Sequence, residues 1–99
     1  MEYSYPIEFD WSTEEVVAVI HFYEIVEKVY ASRIKREEVM DAYRAFKEVV
    51  PGKADEKRYF QQFREESGLD PYPVVKSAKE KEDEEWVKAP ELVNKKGKR

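Results

Sequence analysis

Residues 11–30 read WSTEEVVAVIHFYEIVEKVY and hold both a helix start and a long apolar stripe. Ser12 is placed as the N-cap, and Glu15, three residues later, as the reciprocal half of a capping box. At about 100° per residue, the apolar side chains cover somewhat under half of the helix circumference. They are Val16, Val19, Ile20, Phe22, Tyr23, Val26 and Tyr30, with Ile25 and Val29 widening the stripe. So wide a stripe predicts a central helix at about 13–31 that is contacted from more than one side.

Three further helices are predicted downstream, at about 36–49, 54–67 and 71–82. Gly68 is placed to supply the left-handed residue that ends the third helix. Asp70, followed by proline, favours the start of the fourth, because proline lacks an amide hydrogen that would be unpaired at that position.

Short connections between these helices favour antiparallel neighbours. The predicted fold class is therefore all-α, a compact three- or four-helix bundle. Residues 1–80 form its single domain, which includes an extended N-terminal aromatic arm at 1–11. Residues 83–99 are predicted to be a flexible charged C-terminal tail, since their composition buries too little apolar surface to become ordered.

The arm alternates large apolar side chains with polar ones, so that Tyr3, Tyr5, Ile7, Phe9 and Trp11 share one face. We expect Tyr5, Ile7 and Trp11 to seal the open side of the bundle. The alternative leaves Tyr3, Tyr5 or Phe9 exposed as a surface for another protein or a second copy of this chain. Trp86, in an acidic run, is a further candidate for that partner surface or a residue that folds back.

Composition excludes several kinds of site. The chain has 40% charged residues, a net charge of −4, no cysteine and one histidine, so thiolate chemistry and disulfides are excluded. Residues 1–80 carry 17 acidic and 12 basic side chains, a net charge of −5, and such a body binds a phosphate backbone poorly. No apolar run is long enough to span a bilayer, so we expect a cytoplasmic protein that is not associated with a membrane.

Glu27 lies inside the apolar arc of the first helix, between Ile20 and Tyr23 on the helical wheel. A carboxylate in that position must find partners or change its protonation state. The structural interpretation is an ion pair with Lys47 or Arg36, or a hydrogen bond from a tyrosine. The functional interpretation is an acid with a perturbed pKa in a pocket, and we favour the structural one.

A basic cluster at the start of the second helix, Arg33, Lys35 and Arg36, is a candidate anion contact over free amide groups. Pairing with neighbouring carboxylates is the simpler interpretation. The run Lys95–Arg99 is similarly ambiguous and lacks aromatic residues on which bases could stack.

The chain also resembles the YktA-like family of short uncharacterised cytoplasmic proteins from Bacillus-type bacteria, over about residues 2–80. The matching residues are Tyr3-Ser4-Tyr5-Pro6-Ile7, Trp11-Ser12-Thr13-Glu14-Glu15, Val26-Glu27, Tyr43-Arg44, Phe46-Lys47, Val50-Pro51, Lys53-Ala54 and Ser67-Gly68. The resemblance implies a small all-helical cytoplasmic protein with no assigned activity, substrate or cofactor. The chain departs from that pattern at Gly52 and at Leu69-Asp70-Pro71, positions that affect helix starts.

No reaction or ligand is singled out by these residues. The single histidine, His21, has no second histidine to complete a metal site and no positioned nucleophile to serve. We therefore expect a protein-interaction or regulatory module that is not an enzyme and holds no cofactor or metal. The alternative is a weak anion or nucleic-acid binder that uses Arg33, Lys35, Arg36 and the basic C-terminus.

Overall fold

The structure, a computed structural model, describes residues 4–89 of the 99-residue chain. Four helices and two short strands follow one another as α1 (Thr13–Ala31), β1 (Ile34–Lys35), α2 (Arg36–Val49), α3 (Lys53–Ser67), α4 (Pro71–Lys79) and β2 (Trp86–Val87). The predicted helical bundle is confirmed. The all-α prediction omitted the antiparallel pair of two-residue strands, in which Ile34 faces Val87 and Lys35 faces Trp86.

Helix α1 begins at the predicted capping box. The Glu15 amide donates to the Ser12 hydroxyl oxygen at 3.2 Å, and the Ser12 amide donates to the Glu15 carboxylate at 2.8 Å. Both otherwise unpaired amides are thereby satisfied. The buried side chains of α1 are Val19, Phe22, Tyr23, Ile25, Val26 and Val29. This is the predicted stripe, apart from Val16, Ile20 and Tyr30, which are half-buried.

Aromatic rings from three helices form the centre of the core. Phe22 of α1 lies 4.8 Å from Phe46 of α2 and 5.7 Å from Phe60 of α3, measured between ring centroids. Tyr23 stacks on Phe63 of α3 at 4.7 Å. Offset ring contacts of this kind add to the free energy gained by burying the rings, so α1 is held against α2 and α3 by one continuous cluster.

A tight corner joins α3 to α4. Gly68 has φ of 80° and ends α3, and the Asp70 carboxylate accepts from the Tyr72 amide at 3.0 Å to begin α4. Helix α4 ends at Lys79, before the predicted end near 82. The residues beyond Lys79 are charged and offer no apolar side chain that would hold a further turn against the bundle.

Residues 80–89, which we call the C-terminal strap, turn back across the bundle. Val87 is fully buried, and the Arg36 amide donates to the Glu85 carbonyl at 2.8 Å. The Arg36 side chain donates to the Ala78 carbonyl at 2.9 Å and forms an ion pair with Asp83. The sequence predicted a flexible tail from residue 83, whereas 83–89 pack against the bundle. Burial of Val87 and the contacts of Arg36 with Asp83 and Glu85 oppose the loss of chain entropy there. The basic run Lys95–Arg99 lies outside the described residues.

The described part of the arm is bound to the bundle. The Tyr5 ring stacks on Tyr23 at 5.5 Å and on Phe63 at 6.2 Å. The Tyr59 hydroxyl donates to Glu8 at 2.6 Å, and Trp11 lies 5.5 Å from the Tyr59 ring. Tyr5 and Trp11 therefore cover the open side of the bundle as expected. Ile7, which was expected beside them, is 41% exposed.

Candidate functional site

A groove of about 600 Å³ lies between α3 and α4, with one side chain of α2 at its base. We call it the α3–α4 groove. Helix α3 lines one wall, and the shorter helix α4, which follows after three intervening residues, lines the other. The lining residues are Tyr43, Lys53, Ala54, Glu56, Lys57, Phe60, Tyr72, Val75, Lys76 and Lys79.

The floor of the groove is apolar. Tyr43, Phe60 and Val75 belong to the hydrophobic core and keep only a small exposed edge. The Tyr43 hydroxyl donates to Glu56 at 2.8 Å, and Lys47 donates to the other Glu56 oxygen at 2.7 Å. Burial and the bond to Glu56 raise the pKa of Tyr43 well above its ordinary value, so this hydroxyl stays a neutral donor.

Four lysines surround this floor, Lys53 and Lys57 from α3, and Lys76 and Lys79 from α4. None of them forms an ion pair within residues 4–89. The Lys79 ammonium lies 5.3 Å from the centre of the Tyr43 ring. Since the Glu56 carboxylate is already compensated by Lys47, the local charge of the groove is strongly positive.

Tyr72 is the exposed aromatic residue of the site, with 64% of its surface accessible. It also borders an adjoining depression of about 350 Å³, which shares Lys57 and Phe60 with the groove. At the far side of that depression, Arg64 and Asp70 form an ion pair at 3.5 Å. Tyr72 therefore stands between two connected concave surfaces.

The groove offers an apolar floor with positive charge at its rim. The described lining of the groove contains no cysteine, histidine or serine that would act as a nucleophile or base. Across residues 4–89, no three potential metal-binding side chains cluster. In the same part of the chain, no helix has both the length and the apolar character needed to cross a membrane.

Glu27 is accommodated by a tyrosine and not by the predicted cations. The Tyr5 hydroxyl lies 2.9 Å from both Glu27 carboxylate oxygens. Lys47 donates instead to Glu56 and to the Pro51 carbonyl. The predicted ion pair with Lys47 or Arg36 is therefore wrong, because both cations have nearer partners, and the tyrosine bond considered beside it is what the structure contains.

The three residues of the predicted anion contact also point to different partners. The Arg33 guanidinium lies 4.3 Å and the Lys35 ammonium 5.0 Å from the centre of the Trp86 ring. Arg36 is directed toward Ala78 and Asp83. These three cations hold the strap, so they do not converge on an open anion site.

The residues of the predicted partner surface lie in different environments. Tyr5 is half-buried in the bundle, Phe9 is fully exposed, and Trp86 is 44% exposed and contacts two cations. Tyr3 lies outside the described residues. The structure therefore does not bring the described members of this set into one surface.

Sequence reasoning missed the groove, although part of its signal was present. Tyr72, Lys76 and Lys79 follow one another at steps of four and three residues, which places them on one face of a helix. Lys53 and Lys57 are likewise four residues apart. What no pattern reveals is that these two faces line the same groove.

Comparison with known proteins assigns this domain to a family. Residues 2–87 match the uncharacterised protein family UPF0223. The UPF0223 protein of Lysinibacillus sphaericus is 52% identical over 88 residues, which cover 89% of this chain and 93% of that relative. The UPF0223 protein of Bacillus pumilus is 51% identical over 83 residues, covering 84% and 93%. A Streptococcus thermophilus relative is 51% identical over 80 residues, covering 81% and 86%. The chain therefore belongs to the UPF0223 family, which is found in Bacillus and related bacteria.

Proposed function

We propose that this protein is a non-catalytic cytoplasmic module that binds another protein through the α3–α4 groove. The observation that carries the proposal is an apolar floor, formed by Tyr43, Phe60 and Val75, that opens to solvent beside the exposed Tyr72 ring. Concave apolar surfaces with a few polar groups at the rim are the usual form of a binding site.

Tyr72 is well suited to anchor a partner. Tyrosine combines a large apolar ring with a hydroxyl that donates or accepts, and it is enriched at protein interfaces. Its ring is mostly exposed, and its side chain borders both concave surfaces. A partner that covered Tyr72 would bury the ring without unfolding any element of this chain.

The N-terminal arm supports this role less well. Tyr5 is committed to Tyr23, Phe63 and Glu27. Phe9 is exposed but lines none of the concave surfaces described between α3 and α4. An isolated exposed ring is common on protein surfaces and needs no partner.

The alternative function is anion or nucleic-acid binding through Arg33, Lys35, Arg36 and the basic C-terminus. It has little geometric support, because these three side chains hold the strap and the basic C-terminus lies outside the described residues. The YktA-like resemblance and UPF0223 membership cover nearly the same residues, and we propose that they are two names for one family. Neither name carries a reaction or a ligand, so the proposal depends on the groove.

Site-specific photo-crosslinking in the bacterial host tests the proposal. A photoreactive phenylalanine analogue replaces Tyr72 in one variant and Phe9 in a matched variant, since both rings are exposed. Irradiation is expected to yield a covalent adduct with another protein from position 72 and none from position 9. Adducts from position 9 alone would move the site to the arm, and their absence at both positions would contradict the proposal.

A further inference from the structure

We infer that the occupant of the α3–α4 groove is an acidic peptide segment of another protein, with apolar side chains spaced between its carboxylates. This inference rests on the proposed function and adds the chemistry of the partner. It follows from the charge of the rim, the apolar floor and the dimensions of the groove.

The rim offers four ammonium groups that lack an ionic partner within residues 4–89. The Arg side chains Arg36, Arg44, Arg58 and Arg64 each form an ion pair in the same part of the chain. The carboxylate that lines the groove, Glu56, is held by Lys47 and Tyr43. An entering carboxylate would therefore meet cations that need not release another partner first.

The positively charged rim belongs to a domain whose net charge is negative. Residues 1–80 carry 17 acidic and 12 basic side chains, so a cluster of four lysines is a local reversal of the overall charge. Complementary charge steers association and selects among partners, and like charge repels the wrong ones. An acidic segment is thus attracted at this groove and repelled over much of the remaining surface.

The floor and the length of the groove define the rest of the ligand. Helix α4 has nine residues, which corresponds to about 13 Å, so a short segment fills the groove. Exposed ion pairs are individually weak, and affinity must come mainly from apolar side chains that cover Phe60, Val75 and Tyr72. Carboxylates on both sides of those anchors then face Lys53 and Lys57 on one wall, and Lys76 and Lys79 on the other.

Nucleic acid and the chain's own C-terminus fit less well. Bases need open rings on which to stack, and of the rings in the groove only Tyr72 is open, since Phe60 and Tyr43 are buried to more than nine-tenths. Residues 90–99 carry four basic side chains and one acidic one, the same sign as the rim. A peptide from an acidic partner is the occupant that matches both the charge and the floor.

The test measures binding of the full-length protein to two labelled probe peptides by fluorescence anisotropy. The first probe places leucines every third or fourth position among glutamates, and the second replaces every glutamate with lysine. We expect the acidic probe to bind at least about tenfold more tightly than the basic probe, with an affinity that falls as salt rises.

Charge-reversed variants localise that binding. The variant Lys53→Glu/Lys57→Glu is expected to lose at least about tenfold in affinity for the acidic probe. The control Lys28→Glu/Lys88→Glu changes the net charge equally at two exposed lysines outside the groove and is expected to lose less than about threefold. Circular dichroism verifies that both variants are folded at the temperature of the assay.

Several other results would contradict the inference of an acidic partner. Equal binding of both probes, or equal losses in the two variants, would overturn the inference. So would tighter binding of a single-stranded oligonucleotide, or self-association in sedimentation that Lys53→Glu/Lys57→Glu abolishes. If position 72 crosslinks to a protein while the acidic probe shows no preference, the proposed function stands and only the acidic partner is wrong.

Discussion

Glu27 illustrates how a carboxylate is accommodated within an apolar helix face. The Tyr5 hydroxyl approaches both of its oxygens at 2.9 Å, while the Tyr5 ring stacks on Tyr23 and Phe63. One side chain of the arm therefore supplies a donor to the carboxylate and an apolar cover to the neighbouring rings. The position of Glu27 predicted that a partner was needed, but the identity of that partner depends on how the arm crosses the bundle.

Replacing Tyr5 with phenylalanine isolates the hydroxyl from the ring. The ring contacts are kept, but half-buried Glu27 loses a donor, so the free energy of unfolding is expected to fall by about 1 to 2 kcal/mol. Chemical denaturation followed by circular dichroism measures the change. Tyr72→Phe is the matched control, because its hydroxyl is exposed, and it is expected to change stability by less than about 0.5 kcal/mol. Equal effects of the two substitutions would show that the bond to Glu27 is not stabilising.

At the scale of single elements, the corner between α3 and α4 depends on one glycine conformation. Gly68 has φ of 80°, and a Cβ atom placed there would meet no heavy atom within 4 Å. Any cost of Gly68→Ala is therefore conformational and is expected to be about 1 kcal/mol.

Gly52→Ala provides the comparison for this prediction. Gly52 has φ of −77°, and its added Cβ would make an ordinary contact of 3.4 Å with Asp55. Thermal denaturation of both variants is expected to show a clear loss for Gly68→Ala and a smaller change for Gly52→Ala. The reverse order would mean that the left-handed conformation does not limit this corner.

In the strap, we expect the smaller side chain, Val87, to contribute more to stability than the larger one, Trp86. Val87 is fully buried, whereas Trp86 is 44% exposed and contacts two cations at its face. Val87→Ala is expected to lower the free energy of unfolding by about 2 kcal/mol, and Trp86→Ala by about 1 kcal/mol or less. Urea denaturation of the two variants gives the order, and a larger loss for Trp86→Ala would contradict this account of the strap.

Local sequence predicted those elements whose cause is local. The capping box of α1, its apolar stripe, and the glycine and aspartate at the corner before α4 were all visible as short patterns. The strap was not visible, because a two-residue strand has no period to detect. Its pairing joins Ile34 to Val87, which are far apart in the sequence, and the run before Trp86 has the composition of a solvated segment.

At the scale of the whole molecule, the burial of tyrosines links stability to alkaline pH. Burial and hydrogen bonds to Glu27 and Glu8 raise the pKa of Tyr5 and Tyr59 to about 12. Burial also raises the pKa of Tyr23, Tyr30 and Tyr43. The folded state therefore holds these protons more tightly than the unfolded chain, where the tyrosine pKa is about 10.

The sign of the pH dependence follows from that difference. The contribution of Tyr5 and Tyr59 is complete below about pH 10 and is lost as pH rises through about 12. Denaturation at a series of alkaline pH values is expected to show a steep fall in the free energy of unfolding, and one that is shallower in Tyr5→Phe. Tyrosinate absorbance that develops fully near pH 10 while the protein stays folded would contradict the prediction.

The candidate site could not be derived from sequence at this scale. Tyr72, Lys76 and Lys79 lie on one face of α4, and Lys53 and Lys57 on one face of α3, but each face alone resembles an ordinary solvated surface. Their convergence depends on the corner at Gly68 and on the way both helices pack beside α2. The acidic composition also gives no sign of a local positive surface, because net charge averages over the whole chain.

The strap has a consequence for how the chain is made. Translation proceeds from the N-terminus, so Ile34 and α2 leave the ribosome long before Val87, which packs beside them. A nascent polypeptide that already contains all four helices still presents to water the apolar surface that Val87 later covers. A stop codon shortly after α4 would therefore release a product that chaperones and proteases can distinguish from the finished protein.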